Sequence, residues 1–346
     1  MSWWRVGLIL GVGLLGGTVF YLAGLPLAWM LGSMSVCIAA ALSGARPLVP
    51  LGLRKVMLAI LGVMLGSAFS PQLLDQAAHW SLSLGVLLLS MAVATTLVMA
   101  YFRRVAHMDL PTAYFSAAPG GVNEMVVTGA ALGGDERTIA LIHFLRILMI
   151  VCTVPFVFRL VTGVHSAPLS RSMGSLLDLA PADGLILLAC AGGGALIGRL
   201  VRLPASGLLG PMLASAIIHV AGLTASHPPS ELIIAAQIVT GSGLGCRLVG
   251  LNWRHLAAAA RIATGSTLIL ITIAAGASGL LSAVSGLPFS MLMLSFVPGG
   301  LAEMSLIALS LGEDVAFVST HHVLRVILVI ACAPLVFRLL KIRFRP

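Results

Sequence analysis

"PGGVNEMVVTGAALGGDERTIALIHFLRILMIVCTVPFVFR", residues 119–159, returns 179 positions later as "PGGLAEMSLIALSLGEDVAFVSTHHVLRVILVIACAPLVFR", residues 298–338, with 15 of 41 positions identical. Upstream, "LPLAWMLGSM" (25–34) matches "LPASGLLGPM" (203–212) at an offset of 178. Gly62, Leu65 and Gly66 likewise match Gly241, Leu244 and Gly245. Self-similarity at one fixed period marks a duplicated architecture. The chain therefore divides into a first copy (1–160), a linker (161–181) and a second copy (182–346).

The solvent around these copies follows from composition. Of the 346 residues 59% are hydrophobic and only 9% are charged, against about 25% charged in soluble domains. With a mean hydropathy of +1.08, this is the composition of an all-α polytopic membrane protein. The first apolar stretch follows Arg5 and lacks a convincing small-residue cleavage site, so it reads as a retained span. The net charge of +9 comes from basic residues scattered singly at segment ends, the habit of membrane proteins, with no nucleic-acid module beside them. Cys37, Cys152, Cys190, Cys246 and Cys332 all fall in apolar stretches without paired spacing and read as packing residues.

Each copy holds six apolar segments, about 4–22, 26–44, 54–70, 80–101, 109–132 and 138–160 in the first. In the second they are about 183–200, 205–222, 231–249, 257–283, 288–311 and 315–340. If all six crossed, the copies would be parallel, and Arg137, Arg199, Arg202, Arg247, Arg254 and Arg261 would lie outside, against the positive-inside rule. If the PGG segment enters and leaves by one face, each copy crosses five times and the second is inverted. With the N-terminus inside, Arg5, Arg46, Arg54, Lys55, Arg103, Arg104, Arg137, Arg199, Arg202, Arg247, Arg254, Arg261, Arg338, Lys341, Arg343 and Arg345 are then cytoplasmic. Only Arg159 and Arg171 fall outside. The expected architecture is two inverted-topology repeats with about 10 transmembrane helices plus two PGG-broken segments. Those segments are re-entrant, or discontinuous helices that cross while another segment does not.

The break itself is expected at Pro119, Gly120 and Gly121, and at Pro298, Gly299 and Gly300. Proline removes a backbone donor and paired glycines tolerate unusual dihedrals. Backbone groups released there must meet protein or a water-filled cavity, never lipid. Just past each break stands a carboxylate, Glu124 or Glu303. The next segment carries His143 with Arg146, or His322 with Arg325, three residues apart and so on one helix face. Ionisable groups at membrane depth are costly enough to mark function, and the expected partners are Glu124 with Arg146 or His143 and Glu303 with Arg325 or His322. The bland reading is two buried ion pairs that lock helices together. The functional reading is a site near the midplane, where restarted half-helices and two arginines receive an anion and the carboxylates exchange a proton. Asn123 aligns with Ala302, Thr128 with Ile307 and His321 with Ile142; Asn123 and Thr128 would enrich one half-site, or only bond a neighbouring helix. His219, alone in an apolar segment, reads as helix packing, and His79, His107, His165, His227 and His255 as surface residues. The glycines of "GVGLLGG" and "AGGGALIG" read as close-packing helix faces.

A duplicated membrane chain with "PGG...EM" and "HxxR" in each copy resembles the AbrB family of integral membrane proteins, over almost its whole length. The family is unrelated to the small DNA-binding regulators of the same name. The resemblance implies a multi-pass protein of the bacterial inner membrane, and its members carry the labels regulator of gene expression or ammonia monooxygenase. A copper monooxygenase needs clustered His and carboxylate ligands, whereas His321 and His322 point to different helix faces and the other histidines are scattered. No enzyme, catalytic residue, metal or cofactor is therefore expected. The sequence points to a secondary transporter or sensor of a small anionic solute, with both termini cytoplasmic. The alternative is a membrane regulator acting indirectly on gene expression. The implied partners are the lipid bilayer, a small anion and a proton, with no direct nucleic acid and with homo-oligomer formation left open.

Overall fold

The computed structural model describes residues 3–71, 80–162, 174–250 and 253–343. His79, His165, Arg171 and most of the linker lie outside the described residues. Fourteen α-helices and no strand occur among the described residues. The first seven are α1 (Trp3–Leu22), α2 (Ala28–Leu42), α3 (Leu51–Gly66), α4 (Ser81–Arg104), α5 (Leu110–Ala117), α6 (Val122–Ala131) and α7 (Glu136–Thr162). The second seven are α8 (Pro181–Leu200), α9 (Ser206–Val220), α10 (Ser230–Gly245), α11 (Trp253–Ser285), α12 (Phe289–Phe296), α13 (Leu301–Leu311) and α14 (Val315–Arg343). The two series match one for one, as the duplication requires.

Among the described residues five helices, α4, α7, α8, α11 and α14, are long and apolar enough to cross a membrane. The others, α1 apart, are shorter than the sequence segments suggested. Helices α2 and α9 hold 15 residues each, about 22 Å at 1.5 Å per residue, against a hydrocarbon core of about 30 Å. Their starts are delayed at equivalent places: Leu27 and Ala205, each directly after a proline, adopt left-handed backbone with φ 45°. Gly44 and Gly222, also at positive φ, follow soon after their ends. Along α1 and α8 large apolar side chains such as Leu8, Leu15, Leu185 and Leu188 stay exposed, as a lipid-facing surface does.

The helices gather into two compact units, and neither unit is one copy. The first unit comprises Met1–Ala77, Val154–Leu251 and Ser305–Ala316, and so holds α1–α3 with α8–α10. Within it α1 packs on α2 and α8 on α9 through facing glycines. A Cβ added at Gly16 would lie 2.5 Å from the Gly32 carbonyl oxygen, and one added at Gly210 would lie 2.1 Å from that of Gly194. The copies also exchange helices reciprocally. On α3, Gly62 and Gly66 meet the Leu208 and Met212 carbonyls of α9, while on α10 Gly241 and Gly245 meet the Met30 and Met34 carbonyls of α2. Contacts in which each copy offers the same two patches are the mark of two-fold pairing. Small residues let backbones approach where lipid offers no hydrophobic drive for association. In the same unit Cys37 and Cys246, 209 positions apart, come into side-chain contact.

His219 is less isolated than its apolar surroundings in sequence suggest. Its Nδ1 lies 2.8 Å from the Ser215 carbonyl oxygen and its Nε2 3.0 Å from that of Ser226. The hydroxyls of Thr224 and Ser226 donate to Asp183 at 2.7 and 2.9 Å. The ring thus ties the end of α9 to the loop that follows it.

The second unit comprises Ala78–Thr153, Asn252–Met304 and Phe317–Pro346. It contains α4 packed on its counterpart α11, the first broken segment, the second as far as Met304, and most of α7 and α14. Tyr114, Phe115, Met125, Ile139, Val329 and Phe337 form an apolar cluster beside the first break, and the Tyr114 hydroxyl donates to the Ala333 carbonyl at 3.0 Å.

Candidate functional site

Both PGG segments break where the prolines require it. Helix α5 ends at Ala117 and α6 begins at Val122; α12 ends at Phe296 and α13 begins at Leu301. In the gap the Gly120 N–H donates to the Ala118 carbonyl at 2.9 Å and the Gly299 N–H to the Val297 carbonyl at 2.8 Å. Each is a bond from residue i+2 to residue i that closes a γ-turn over the proline.

The glycines serve a different purpose from the one their conformational freedom suggested. Gly121 has φ −63° and ψ 135°, ordinary extended backbone, and none of the four break glycines has positive φ. What they supply is room. A Cβ on Gly121 would lie 2.2 Å from a Glu124 carboxylate oxygen, and one on Gly300 would lie 2.0 Å from that of Glu303. Each carboxylate folds back over the second glycine at the positive end of its own half-helix, where negative charge is favoured. Gly120 is closed in by Met125 and Val329, and Gly299 by Met304. Glu124 therefore turns to its own helix start and does not take Arg146 or His143, the partners its position suggested.

Proline also explains the histidines. In a continuous helix the Phe115 carbonyl would accept from residue 119 and the Leu294 carbonyl from residue 298, but both are prolines with no N–H. His143 Nε2 sits 2.8 Å from the Phe115 oxygen, and His322 Nε2 sits 2.9 Å from the Leu294 oxygen. Each imidazole supplies the donor that proline removed. A ring nitrogen facing a carbonyl carries the hydrogen, so Nδ1 of each neutral ring is left with a lone pair.

Here the copies part. In the first, Arg146 Nη2 donates to His143 Nδ1 at 3.0 Å, while its Nε and Nη1 have no hydrogen-bond partner. In the second, Arg325 turns to the break itself, with Nη1 donating to the Val297 carbonyl at 3.1 Å and Nη2 to the Gly299 carbonyl at 2.9 Å. His322 Nδ1 and Arg325 Nε stay unpartnered. Both arginines are 3% exposed, and they lie close enough for their like charges to interact. An arginine so buried with several N–H groups unanswered is a standing penalty unless an acceptor comes to it.

The two breaks meet at one narrow cleft. Pro119, Pro298 and Arg325 line it with Ser90, Ala94 and Ala274 from α4 and α11, leaving room for about one water molecule. The small residues of α4 and α11 carry no motif, and the sequence offered no signal for them beyond their size. Asn123 is exposed and is not among the residues that line the cleft. Among the described residues no three His, Cys, Asp or Glu side chains gather as a metal site would require. His321 and His322 face different carbonyls, those of Phe317 and Leu294.

The helix that carries His143 and Arg146 is anchored at its start. Thr112 Oγ accepts the Asp135 N–H at 2.8 Å, while the Thr138 hydroxyl and the Arg137 N–H donate to the Asp135 carboxylate. The Thr138 hydroxyl chiefly holds the Asp135 carboxyl below its ordinary value. Asp109 caps α5 by accepting the Thr112 N–H at 3.3 Å. One small polar knot outside the apolar region thus sets α5 against α7, and with them the carbonyl and the imidazole that must meet.

Paired broken helices around two buried arginines, with five helices able to cross a membrane among the described residues, define a polytopic α-helical membrane protein. The chain belongs to the AbrB family: the model described as "Transition state regulatory protein AbrB" matches residues 29–341. It is 29% identical to the uncharacterised protein YhjN of Bacillus subtilis (strain 168), over 94% of this chain and 90% of that one. It is also 26% identical, over 97% of this chain and 96% of the other, to a protein of Escherichia coli (strain K12) provisionally named regulator AbrB. No solved structure matches it.

Proposed function

We propose that this chain is a secondary transporter of a small anion in the bacterial inner membrane. The observation that carries the reading is Arg146: a guanidinium buried beside a second arginine, bonded to one neutral imidazole, with Nε and Nη1 unanswered. A small oxyanion entering by way of the cleft that Arg325 lines, and settling between the two arginines, would answer those donors and offset the repulsion between them. The supporting pattern is that of transporters whose broken helices meet near the midplane at a repeat interface.

In this reading the copies are inverted, both termini are cytoplasmic, and the site alternates between the two faces. The sorting of arginines by the positive-inside rule favours that orientation, and the reciprocal exchange of helices in the first unit suits two-fold related copies. Glu124 and Glu303, each at a half-helix start, are the candidates for proton exchange on the way to the site. A second reading, a membrane regulator that responds to solute without moving it, draws on the name of the Escherichia coli relative.

Reconstituted vesicles separate the two readings. Uptake of nitrate, formate, bicarbonate or sulfate that disappears in Arg146→Gln supports transport. Saturable binding of one of these anions without flux favours the regulator. If neither binding nor flux responds to Arg146→Gln, the anion site is wrong. Labelling of single cysteines in spheroplasts tests orientation: residues 161–181 are expected to react from outside and 200–204 are not.

A further inference from the structure

His321 has no counterpart in the first copy, which carries Ile142 at the aligned position. It is wholly buried in α14. Its Nδ1 lies 2.8 Å from the Phe317 carbonyl oxygen one turn earlier, which fixes a hydrogen on that nitrogen. Its Nε2 lies 2.9 Å from Ser83 Oγ, and Ser83 Oγ also lies 2.8 Å from the Trp80 carbonyl oxygen.

Two fully bonded arrangements follow. When the ring is neutral, the Ser83 hydroxyl donates to Nε2. When the ring is protonated, Nε2–H donates to Ser83 Oγ, and the serine hydrogen turns to the Trp80 carbonyl. Gain of a proton therefore strands no buried polar group and needs only one hydroxyl rotation. Aromatic rings surround the imidazole, with centroids at 4.0 Å for Phe317, 6.2 Å for Trp80 and 6.4 Å for Phe296. Such faces attract a cation within roughly 6 Å of the ring centre.

Among the described residues no carboxylate is seen against the ring. On its own helix the charged or titratable neighbours are His322, next in sequence, and Arg325, one turn on. The segment of Trp80 and α4 presents Ser83 and Trp80, and α12 presents Phe296; neither adds a titratable group among the described contacts. The carboxylates nearest along the chain, Glu313 and Asp314, precede His321 by about two turns. Phe296 also lines the cleft that Arg325 and the two prolines enclose. An anion in that cleft would place negative charge one side chain away from the imidazole and favour its charged form. By linkage, a proton on His321 would favour the anion equally.

We infer that His321 is a proton-binding site coupled to occupancy of the cleft by an anion. The inference rests on the anion reading above and assigns the proton to a histidine found in one copy only. It is tested with the full chain in lipid nanodiscs, by following tryptophan emission from about pH 4 to 9, with and without nitrate, which does not titrate in that range. Wild type is expected to show a one-proton transition that is lost in Trp80→Phe and in His321→Gln, with its midpoint raised by nitrate. Ser83→Ala, which leaves the imidazole in place, is expected to keep the transition and move its midpoint down by about one pH unit, a tenfold loss of proton affinity. A transition that survives His321→Gln, no transition in wild type, or a midpoint indifferent to nitrate that is nevertheless taken up would overturn the proposal. Failure of the anion reading looks different: the transition is present, but nitrate is neither bound nor taken up, and neither are the other anions.

Discussion

The run Gly192, Gly193, Gly194 on α8 provides a close comparison of the forces that hold the first unit together. A Cβ at Gly192 or Gly193 would meet nothing within 4 Å, whereas at Gly194 it would lie 2.7 Å from the Gly210 carbonyl oxygen and 2.7 Å from Pro211 Cα. Ordinary contact begins near 3.4 Å, so the shortfall is about 0.7 Å. It falls on backbone that cannot rotate away, so α8 and α9 must part by that amount. Alanine in place of a helical glycine contributes roughly 0.5–1 kcal/mol in each of the three positions, while overpacking costs about 1–3 kcal/mol. The propensity gain is common to all three, and the difference between Gly193→Ala and Gly194→Ala isolates the clash. The first two substitutions are expected to hold or raise the melting temperature and the third to lower it. Thermal unfolding in detergent, read by a thiol-reactive dye that reaches buried Cys37 and Cys190 only on opening, measures this. Equal melting of Gly193→Ala and Gly194→Ala would refute the close-approach account of α8 and α9.

The remaining expectations concern the site. Arg325→Gln takes the guanidinium from the Val297 carbonyl, which keeps the Gly299 N–H, and from the Gly299 carbonyl, and is expected to cost about 1–3 kcal/mol of stability, whereas Arg146→Gln removes a buried, poorly answered charge and is expected to be near neutral; paired melts of the two variants check the asymmetry. In flux assays the order reverses, with Arg146→Gln raising the half-saturating anion concentration roughly 30-fold or more. Pro119→Ala restores an N–H to the Phe115 carbonyl, so it should compete with His143 and weaken anion binding while helical content by circular dichroism holds or rises. Asp135 is held below its ordinary 3.8 by Thr138, so its folded form resists protonation more than its unfolded form. Its contribution is complete above that value and fades as pH falls through the lower folded value. Melts of Asp135→Ala against wild type are expected to differ at neutral pH and to converge as the pH falls through and below the ordinary 3.8.

Much of this architecture was legible in the chain itself. Duplication is a property of sequence, so the seven-plus-seven order of helices and the equivalent breaks were open to alignment alone. Proline and its missing N–H are local, so the helices stop at Ala117 and Phe296 as expected. The three-residue spacing of His143 with Arg146 and of His322 with Arg325 is a helical constant, so each pair shares a face. Composition alone placed the chain in a membrane.

Partnership is not local, and there the structure decided. Charge arithmetic pairs each glutamate with an arginine. Instead Glu124 lies at its own helix end, where the half-helix supplies positive potential and Gly121 leaves space. Arg146 and Arg325, identical in type and spacing, diverge because one meets an imidazole lone pair and the other meets carbonyls freed by the turn. Nor could spacing foresee that the copies interleave: α3 finds its close-packing partner in α9 and α10 finds its own in α2, because glycine faces pair with whichever backbone closely complements them. The sequence by itself determined where the backbone must break and which side chains stand near the breaks. Only the tertiary structure decided which hydrogen bond each of them makes, because an acceptor 26 or 28 residues away in the chain becomes a neighbour only after folding.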